Sequence, residues 1–245
     1  MEPIIKIRNL VKVYRVGDEK LRALDGIDLD VYEGEFLCIV GRSGSGKSTL
    51  LNMLAGLEKP TKGAIQIAGQ RLDKMKEAQL VRFRLEHVGF IFQQFNLFPN
   101  QTALENVTMP LVYRGIPSRI RKKKALKMLS QLGLQTHIKH KPSQMSGGQQ
   151  QRVGIARALV SSPEIVFADE PTGNLDSRTS DEILSLIKEI CRKNGATLIM
   201  VTHDNTIAEK ADRVVRVLDG KVIEIIDNKQ TAQEKRAEPK EELPA

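Results

Sequence analysis

Hydrophobic and polar positions alternate with two periods along this chain, and the changes of period mark its elements. Ile4 to Val13 and Ile27 to Val31 are rich in β-branched residues, which predicts two strands. The polar turn Glu33-Gly34-Glu35 leads into Phe36-Leu37-Cys38-Ile39-Val40, an apolar run without alternation. Such a run suits a strand buried on both faces, as in a parallel sheet. After a glycine-rich loop, Leu50, Leu51, Met53, Leu54 and Leu57 recur at helical spacing, and Gly56 and Pro60 mark the end.

Further strands are expected at Ala64 to Ala68 and Val88 to Phe92, with helical character from Lys74 to Leu85 between them. Residues 99–145 lack strand-like runs. Helical segments there alternate with breakers at Pro110, Gly115, Pro117, Gly133 and Pro142, so a mostly helical insert is predicted. The α/β pattern then resumes. Gln149 to Val160 reads as a helix, Ile165 to Ala168 as a buried strand, and Ile183, Leu186, Ile187 and Ile190 as the apolar stripe of the next helix. Thr197 to Val201 is another strand, and Val214 to Leu218 and Val222 to Ile226 flank Asp219-Gly220, a hairpin signal. From Asp227 onward almost nothing is apolar, which predicts a disordered tail over 227–245.

Composition changes this picture little. The 245 residues are 40% hydrophobic and 28% charged, ordinary for a globular protein of one large or two small domains. No run of about 18 apolar residues predicts a transmembrane helix, and the N-terminus MEPIIKIRNL lacks the apolar core of a secretory signal. Cys38 and Cys191 are too few for a disulfide framework, suit a reducing compartment, and read as small core residues. The formal charge is +8, with the densest basic cluster at Arg119, Arg121, Lys122, Lys123 and Lys124. That cluster is open to two readings, a solvated helix face or a contact for anionic lipid headgroups. Aromatic residues are 4% and tryptophan is absent, which disfavours a base-stacking platform and hence nucleic acid as a partner.

Three motifs carry chemistry. Gly41-Arg42-Ser43-Gly44-Ser45-Gly46-Lys47-Ser48-Thr49 fits G-x-x-x-x-G-K-[ST], with a buried strand before it and a helix after it. Its glycines let backbone amides turn inward around phosphate oxygens, and the helix N-terminus adds partial positive charge. Lys47 is expected near the β- and γ-phosphates, Ser48 on Mg²⁺ and Thr49 near the α-phosphate. Second, Ile165-Val166-Phe167-Ala168-Asp169-Glu170 ends an apolar strand in two acids, at the sheet edge where ligands of doubly wound folds bind. Asp169 then stands near Mg²⁺, and Glu170 where it can polarise an attacking water. Third, Met145-Ser146-Gly147-Gly148-Gln149-Gln150-Gln151-Arg152 precedes a helix and makes a second anion site. Two phosphate-binding helix starts in one domain suggest two subunits head to tail, each offering its Ser-Gly-Gly turn to the other's ATP.

With these motifs in order, the sequence resembles the nucleotide-binding subunit of an ABC transporter over residues 3 to about 226. Ser146-Gly147-Gly148-Gln149 matches that family's signature, with Met145 where Leu is usual. The resemblance implies an α/β fold: a P-loop, RecA-like, mostly parallel sheet, an N-terminal antiparallel β subdomain and a helical subdomain at about 95–155. It places Tyr14 as the aromatic that stacks on adenine, although Tyr14 on its own reads more readily as a packed strand-end residue. Gln93 matches the glutamine that senses Mg²⁺ and water; Gln94 adjoins it, and Gln93 is preferred because it follows the strand. Asp176, in Gly173-Asn174-Leu175-Asp176, matches the loop that communicates across the dimer, with Gly-Asn where many members have Ser-Ala. His203 matches the histidine that contacts the γ-phosphate. His87, His137 and His140 match nothing and are expected at the surface.

Phe92-Gln93-Gln94-Phe95-Asn96-Leu97-Phe98, Thr102-Ala103-Leu104-Glu105-Asn106-Val107 and Gln149-Gln150-Gln151-Arg152 resemble one branch of the family, the macrolide-exporter, lipoprotein-release and cell-division ATPases. The resemblance implies an ATPase that forms a homodimer around ATP and Mg²⁺. It would attach peripherally to the inner face of the cell membrane, on a separate permease subunit of few transmembrane helices. An alternative is a cell-division-type regulatory ATPase that gates a partner without transport. A soluble ABC protein acting on nucleic acid or ribosomes would usually carry two ATPase units or a long coiled-coil insert. A GTPase would need an Asn-Lys-x-Asp string, which is absent.

Overall fold

A computed structural model describes residues 2–228. In chain order the elements are β1 (Ile5–Val16), β2 (Glu19–Val31), β3 (Phe36–Val40), α1 (Lys47–Leu54), β4 (Lys62–Ile67), β5 (Gln70–Arg71), α2 (Glu77–His87) and β6 (Val88–Ile91). There follow α3 (Ala103–Tyr113), α4 (Ser118–Gln131), α5 (Gly147–Leu159), β7 (Ile165–Asp169), α6 (Ser177–Asn194), β8 (Thr197–Thr202), α7 (Asn205–Ala208), β9 (Arg213–Leu218) and β10 (Lys221–Asp227).

Two sheets result. The smaller is antiparallel, in the order β2-β1-β4-β5, and the larger runs β10-β9-β3-β8-β7-β6. All pairings in the larger sheet are parallel except β10 on β9. The unbroken apolar runs now have a physical reason. Side chains alternate across a strand, so Phe36, Cys38 and Val40 enter one core while Leu37 and Ile39 enter the other. β7 and β8 divide likewise, Val166, Ala168, Leu198 and Met200 to the first core and Ile165, Phe167, Ile199 and Val201 to the second. The first core lies under α3, α4, α5 and α6. The second is closed by α1 and the antiparallel sheet, through Leu50, Leu51, Ile5, Ile7, Leu29 and Ile65. This is the architecture that the resemblance implied, with a β subdomain, a mostly parallel core sheet and helices grouped between β6 and β7.

Several boundaries differ from expectation. β1 continues to Val16 and β2 begins at Glu19, pairing Tyr14 with Leu21 and Val16 with Glu19. The tip of this hairpin is solvent-facing, so no buried alternation announces it. The helix expected from Lys74 begins at Glu77, after a 3₁₀ turn at Leu72–Lys74, and Gln79 accepts from the Lys76 amide to start it. Pro110 does not break a helix: it lies inside α3, and the ladder resumes where the Arg114 amide reaches the Pro110 carbonyl at 3.2 Å. Asp227 belongs to β10, and Asn228 donates to the carbonyl of Ala211 at 2.9 Å, so the chain is held to this point. The rest of the expected tail, 229–245, lies outside the described residues.

The three histidines expected at the surface are half-buried. His87 stacks on Phe83 and meets Glu164 at 3.2 Å. His137 and His140 pack edge to face, 5.0 Å between ring centres. What packs beside each ring sets this: Phe83 of the same helix and the distant Glu164 for His87, and each other for His137 and His140.

Candidate nucleotide site

The phosphate loop joins β3 to α1 and is braced from below by the β9–β10 turn. A Cβ on Gly41 would collide with the Val217 carbonyl, and one on Gly46 with the Ala23 carbonyl. Gly46 also has φ +100°, a conformation L side chains rarely adopt. Asp219 and Gly220 both have positive φ, as a primed hairpin turn demands. The Gly220 amide donates to the Ser45 carbonyl at 3.0 Å, and the Asp25 amide to the Gly220 carbonyl at 2.9 Å. Arg42, Ser43 and Gly44 form the exposed crown, whereas Ser45 and Lys47 are buried.

With α1 starting at Lys47 and no side-chain cap, its first amides are left for an anion. Lys47 Nζ donates to the Arg42 carbonyl at 2.8 Å and so lies across the loop. Burial pulls its pKa down, opposed by the charges of Glu170 and Asp169. Ser48 Oγ donates to Asp169 Oδ1 at 3.2 Å, so the two expected metal ligands are neighbours. Burial raises the Asp169 pKa; Ser48 opposes this, Glu170 adds to it and Lys47 opposes it. A hydroxyl and a carboxylate, all oxygen, fit Mg²⁺, which takes few protein ligands and completes its shell with phosphate and water. Among the described residues no cluster of three or more His, Cys, Asp or Glu offers a rival metal cage.

Glu170 is held on every side. Its φ is +42°, strained for a residue with a Cβ. Its amide donates to Val201 at 3.0 Å and its carbonyl accepts from Gly173 at 3.0 Å. Gln93 Nε2 donates to one carboxylate oxygen at 3.4 Å, and His203 Nδ1 lies 3.1 Å from the other. Gln93, not Gln94, therefore reaches the site. A strained, doubly held carboxylate at the end of β7 has the features of a group positioned for chemistry.

Tyr14 also stands by the loop. Its hydroxyl donates to Glu58 Oε2 at 2.7 Å, and Lys12 Nζ lies 4.9 Å from its ring centre. Burial, then the Glu58 hydrogen bond, raises its pKa, while the neighbouring Thr49 hydroxyl of the phosphate loop lowers it.

The Ser146 turn is built differently. Ser146 Oγ accepts from the Gln149 amide at 3.3 Å and Gln149 Oε1 accepts from the Ser146 amide at 3.0 Å, a reciprocal capping box. With Gly147 and Gly148 it lines a hollow of about 400 Å³ that also includes Asn174, Asp176 and Thr179, and no residue of the phosphate loop. Asp176 caps α6 through the Thr179 amide at 3.0 Å, and that bond lowers its pKa.

The sequence pattern described as ABC transporter matches residues 24–173. The chain belongs to the ABC transporter family. It is an ATP-binding subunit of that family and an ATPase. It is 47% identical over 232 residues to the macrolide export ATP-binding/permease protein MacB of Hyphomonas neptunium, covering 95% of this chain and 36% of that protein. This chain thus spans about a third of the length of the MacB relatives it matches. It is 46% identical over 223 residues to the uncharacterised ABC transporter ATP-binding protein MJ0796 of Methanocaldococcus jannaschii, covering 89% of this chain and 95% of that one. The dimeric structure of a post-hydrolysis state of MJ0796 bound to ADP and Pi superposes with a TM-score of 0.86 at 42% identity, covering 91% of this chain and 98% of that one.

Three contacts of this cassette were not anticipated. Asn174 Nδ2 donates to the Gln93 carbonyl at 3.1 Å, tying the Gly173–Asp176 loop to the glutamine. Gly173 fits closely there: a Cβ would sit 3.0 Å from Gln93 Nε2 and 3.3 Å from Glu170 Oε2. The unusual Gly-Asn pair was the available signal. Glu58 as the anchor of Tyr14 had none. The third is His137, whose Nε2 lies 3.1 Å from Gln149 Nε2. Gln149 Oε1 already accepts from Ser146, so its amide nitrogen donates and His137 accepts. The His137 Nδ1–H then faces Thr136 Oγ1 at 3.0 Å.

Proposed function

We propose that two copies of this cassette close head to tail around two ATP molecules and drive a separate membrane subunit of the lever-type exporter and lipoprotein-release class. The observation that carries this is the Ser146–Gly148 turn: it is complete as an anion-binding helix start, yet its hollow includes nothing from the phosphate loop of its own chain. The second copy supplies the missing phosphate. Support comes from MJ0796, whose related cassette is dimeric with ADP and Pi bound.

In this reading the γ-phosphate displaces the Arg42 carbonyl from Lys47 and accepts from the α1 amides and from His203. Ser48, Asp169 and Gln93 are the residues that would hold Mg²⁺, which supplies charge neutralisation at the phosphates when bound. Tyr14 stacks on adenine. Glu170, released from Gln93 and His203, orients the attacking water. Ser146 and Gly148 of the opposite copy contact the same γ-phosphate, so only ATP bridges the two subunits. Hydrolysis to ADP and phosphate removes the bridge, and Asp176 and Asn174 connect this change to the Gln93 loop across the interface.

The permease contact falls on a groove of about 440 Å³ between α2, β6 and α3, lined by Val81, Phe90, Phe98, Met109 and Tyr113. Phe98 and Tyr113 are exposed there, suited to an apolar helix end from a partner. The MacB relatives are named as ATP-binding/permease proteins and are about three times as long as this chain. No helix among the described residues is long and apolar enough to cross a membrane. The cassette would therefore sit on the inner membrane face through its partner.

Tagged Glu170→Gln in Mg-ATP, isolated from native membranes, tests this. Turnover should fall by roughly 10²- to 10⁴-fold while ATP binding persists, and the closed pair should copurify with a permease of few transmembrane helices. Normal turnover would remove Glu170 from its role. Copurification with a many-helix permease would remove the branch assignment, and ribosomes or nucleic acid without a membrane protein would remove transport.

A further inference from the structure

We propose that the outward face of α4 is a contact for an anionic bilayer surface, so that the cassette touches lipid directly beside its permease. α4 reads Ser-Arg-Ile-Arg-Lys-Lys-Lys-Ala-Leu-Lys-Met-Leu-Ser-Gln and contains no acid. Its buried side is Ala125, Met128 and Leu129. Opposite them, Arg119, Lys123 and Lys127 follow one line at a spacing of four, with Lys122 and Lys124 beside them, all exposed. Among the described residues none of these five makes an ion pair. Some exposed cations elsewhere are matched, as Arg82 is with Glu86 and Lys210 with Asp181, whereas α4 gathers five unmatched ones on a single helix.

The placement also breaks a local rule. The first turn of α4, Ser118 to Arg121, has no acid and carries Arg119 and Arg121. Cations at a helix N-terminus oppose the helix dipole, and like charges four apart repel. A local cost with no compensation inside the fold points to a partner outside it. The surroundings define that partner. Tyr113 is 65%, Ile120 49% and Val112 41% exposed, so apolar side chains flank the cations across the short link from α3 to α4. Tyr113 also lines the groove assigned to the permease, so the basic face continues from that groove. Cations beside exposed isoleucine and tyrosine are the composition of a helix that lies at a lipid headgroup layer. A single-stranded nucleic acid would need stacking aromatics in series, and α4 itself carries no aromatic residue.

The proposal rests on reading the chain as a membrane-coupled cassette. The test uses the whole chain without any permease, so its failure and failure of that reading are separable. The protein is sedimented with vesicles of phosphatidylcholine alone and of phosphatidylcholine mixed with phosphatidylglycerol. Binding should appear on the mixed vesicles only and fall as salt rises. Since each cation near such a surface is worth about fivefold in partitioning, R119Q/K122Q/K123Q/K124Q/K127Q should reduce binding at least tenfold (~) with ATP binding unchanged. The charge-preserving K122R/K123R/K124R/K127R should retain it. Equal sedimentation with both vesicle types, or unchanged binding by the glutamine variant, would overturn the proposal. So would tighter binding of transfer RNA than of the mixed vesicles.

Discussion

The phosphate loop and the Ser146 turn are both glycine-rich helix starts with free amides, and the fold treats them in opposite ways. The loop is locked by its own chain: Gly41 and Gly46 are pressed against the carbonyls of Val217 and Ala23, Gly220 ties down Ser45, and Lys47 is buried. The Ser146 turn is closed only on itself, through the capping box with Gln149, and opens into a hollow shared with the Asp176 loop. The loop is therefore finished as a binding site in one molecule. The turn is finished as a shape, and in the proposed closed pair its ligand would be brought by the second copy. Rigidity would then be placed where the nucleotide binds first, and exposure where closure follows.

The comparison breaks most visibly at Lys47. Lys47→Ala should weaken ATP binding to the single cassette by roughly 10- to 100-fold, the worth of a buried charge-assisted contact, as titration with a fluorescent ATP analogue would measure. Ser146→Ala should leave that titration unchanged. Its effect should appear as about 1 kcal/mol of helix stability and as loss of the ATP-induced dimer in the Glu170→Gln background, read by size-exclusion chromatography. If Ser146→Ala instead weakened binding to the single cassette, the division of labour would be wrong.

Asp169 sharpens the same contrast through pH. Burial, with the nearby Glu170 charge, raises its pKa above the ordinary carboxylate value. The folded state thus binds this proton more tightly than the unfolded chain. The stability it contributes is present below the ordinary value and lost as pH rises through the folded one. At neutral pH the ionised group therefore strains the nucleotide-free fold. Asp169→Asn should raise its Tm by a few degrees at neutral pH, with the gain vanishing in acid, while abolishing Mg²⁺-dependent turnover. A lower Tm for Asp169→Asn at neutral pH would contradict the burial argument. The smallest effect is expected at His137. His137→Ala should cost about 0.5 kcal/mol and weaken ATP-induced dimerisation without altering ATP binding, since it touches only the Gln149 side of the cap.

Legibility in the sequence followed the range of the interaction. The phosphate loop, the Asp169–Glu170 strand end and the Ser146 cap are set by residues within a few positions of one another, and each was readable as a string. Gln93 was preferred over Gln94 from its place directly after the strand, and the fold gave that preference its geometry, because Gln93 reaches Glu170, 77 residues away. The β1–β2 hairpin was half missed because its tip has no buried face. Pro110 was misread as a break because α3, packed on α4 and α5, carries the helix past one missing hydrogen bond. The half-burial of His87, His137 and His140 depends on what packs beside each ring, which no local pattern encodes.

By itself the sequence determined the chemistry: which loop cradles phosphate, which strand ends in acid, and which residues form the Ser-Gly-Gly turn. Local backbone geometry requires specific residue types at fixed spacing, and those requirements are written in order along the chain. Tertiary structure alone decided what holds these groups. The sheet order β3-β8-β7-β6 brings Ser48, Asp169, Glu170, His203 and Gln93 to one edge. It leaves the Ser146 hollow without the phosphate loop of its own chain, because the walls of the hollow come from the starts of α5 and α6 and the loop stands at the end of β3.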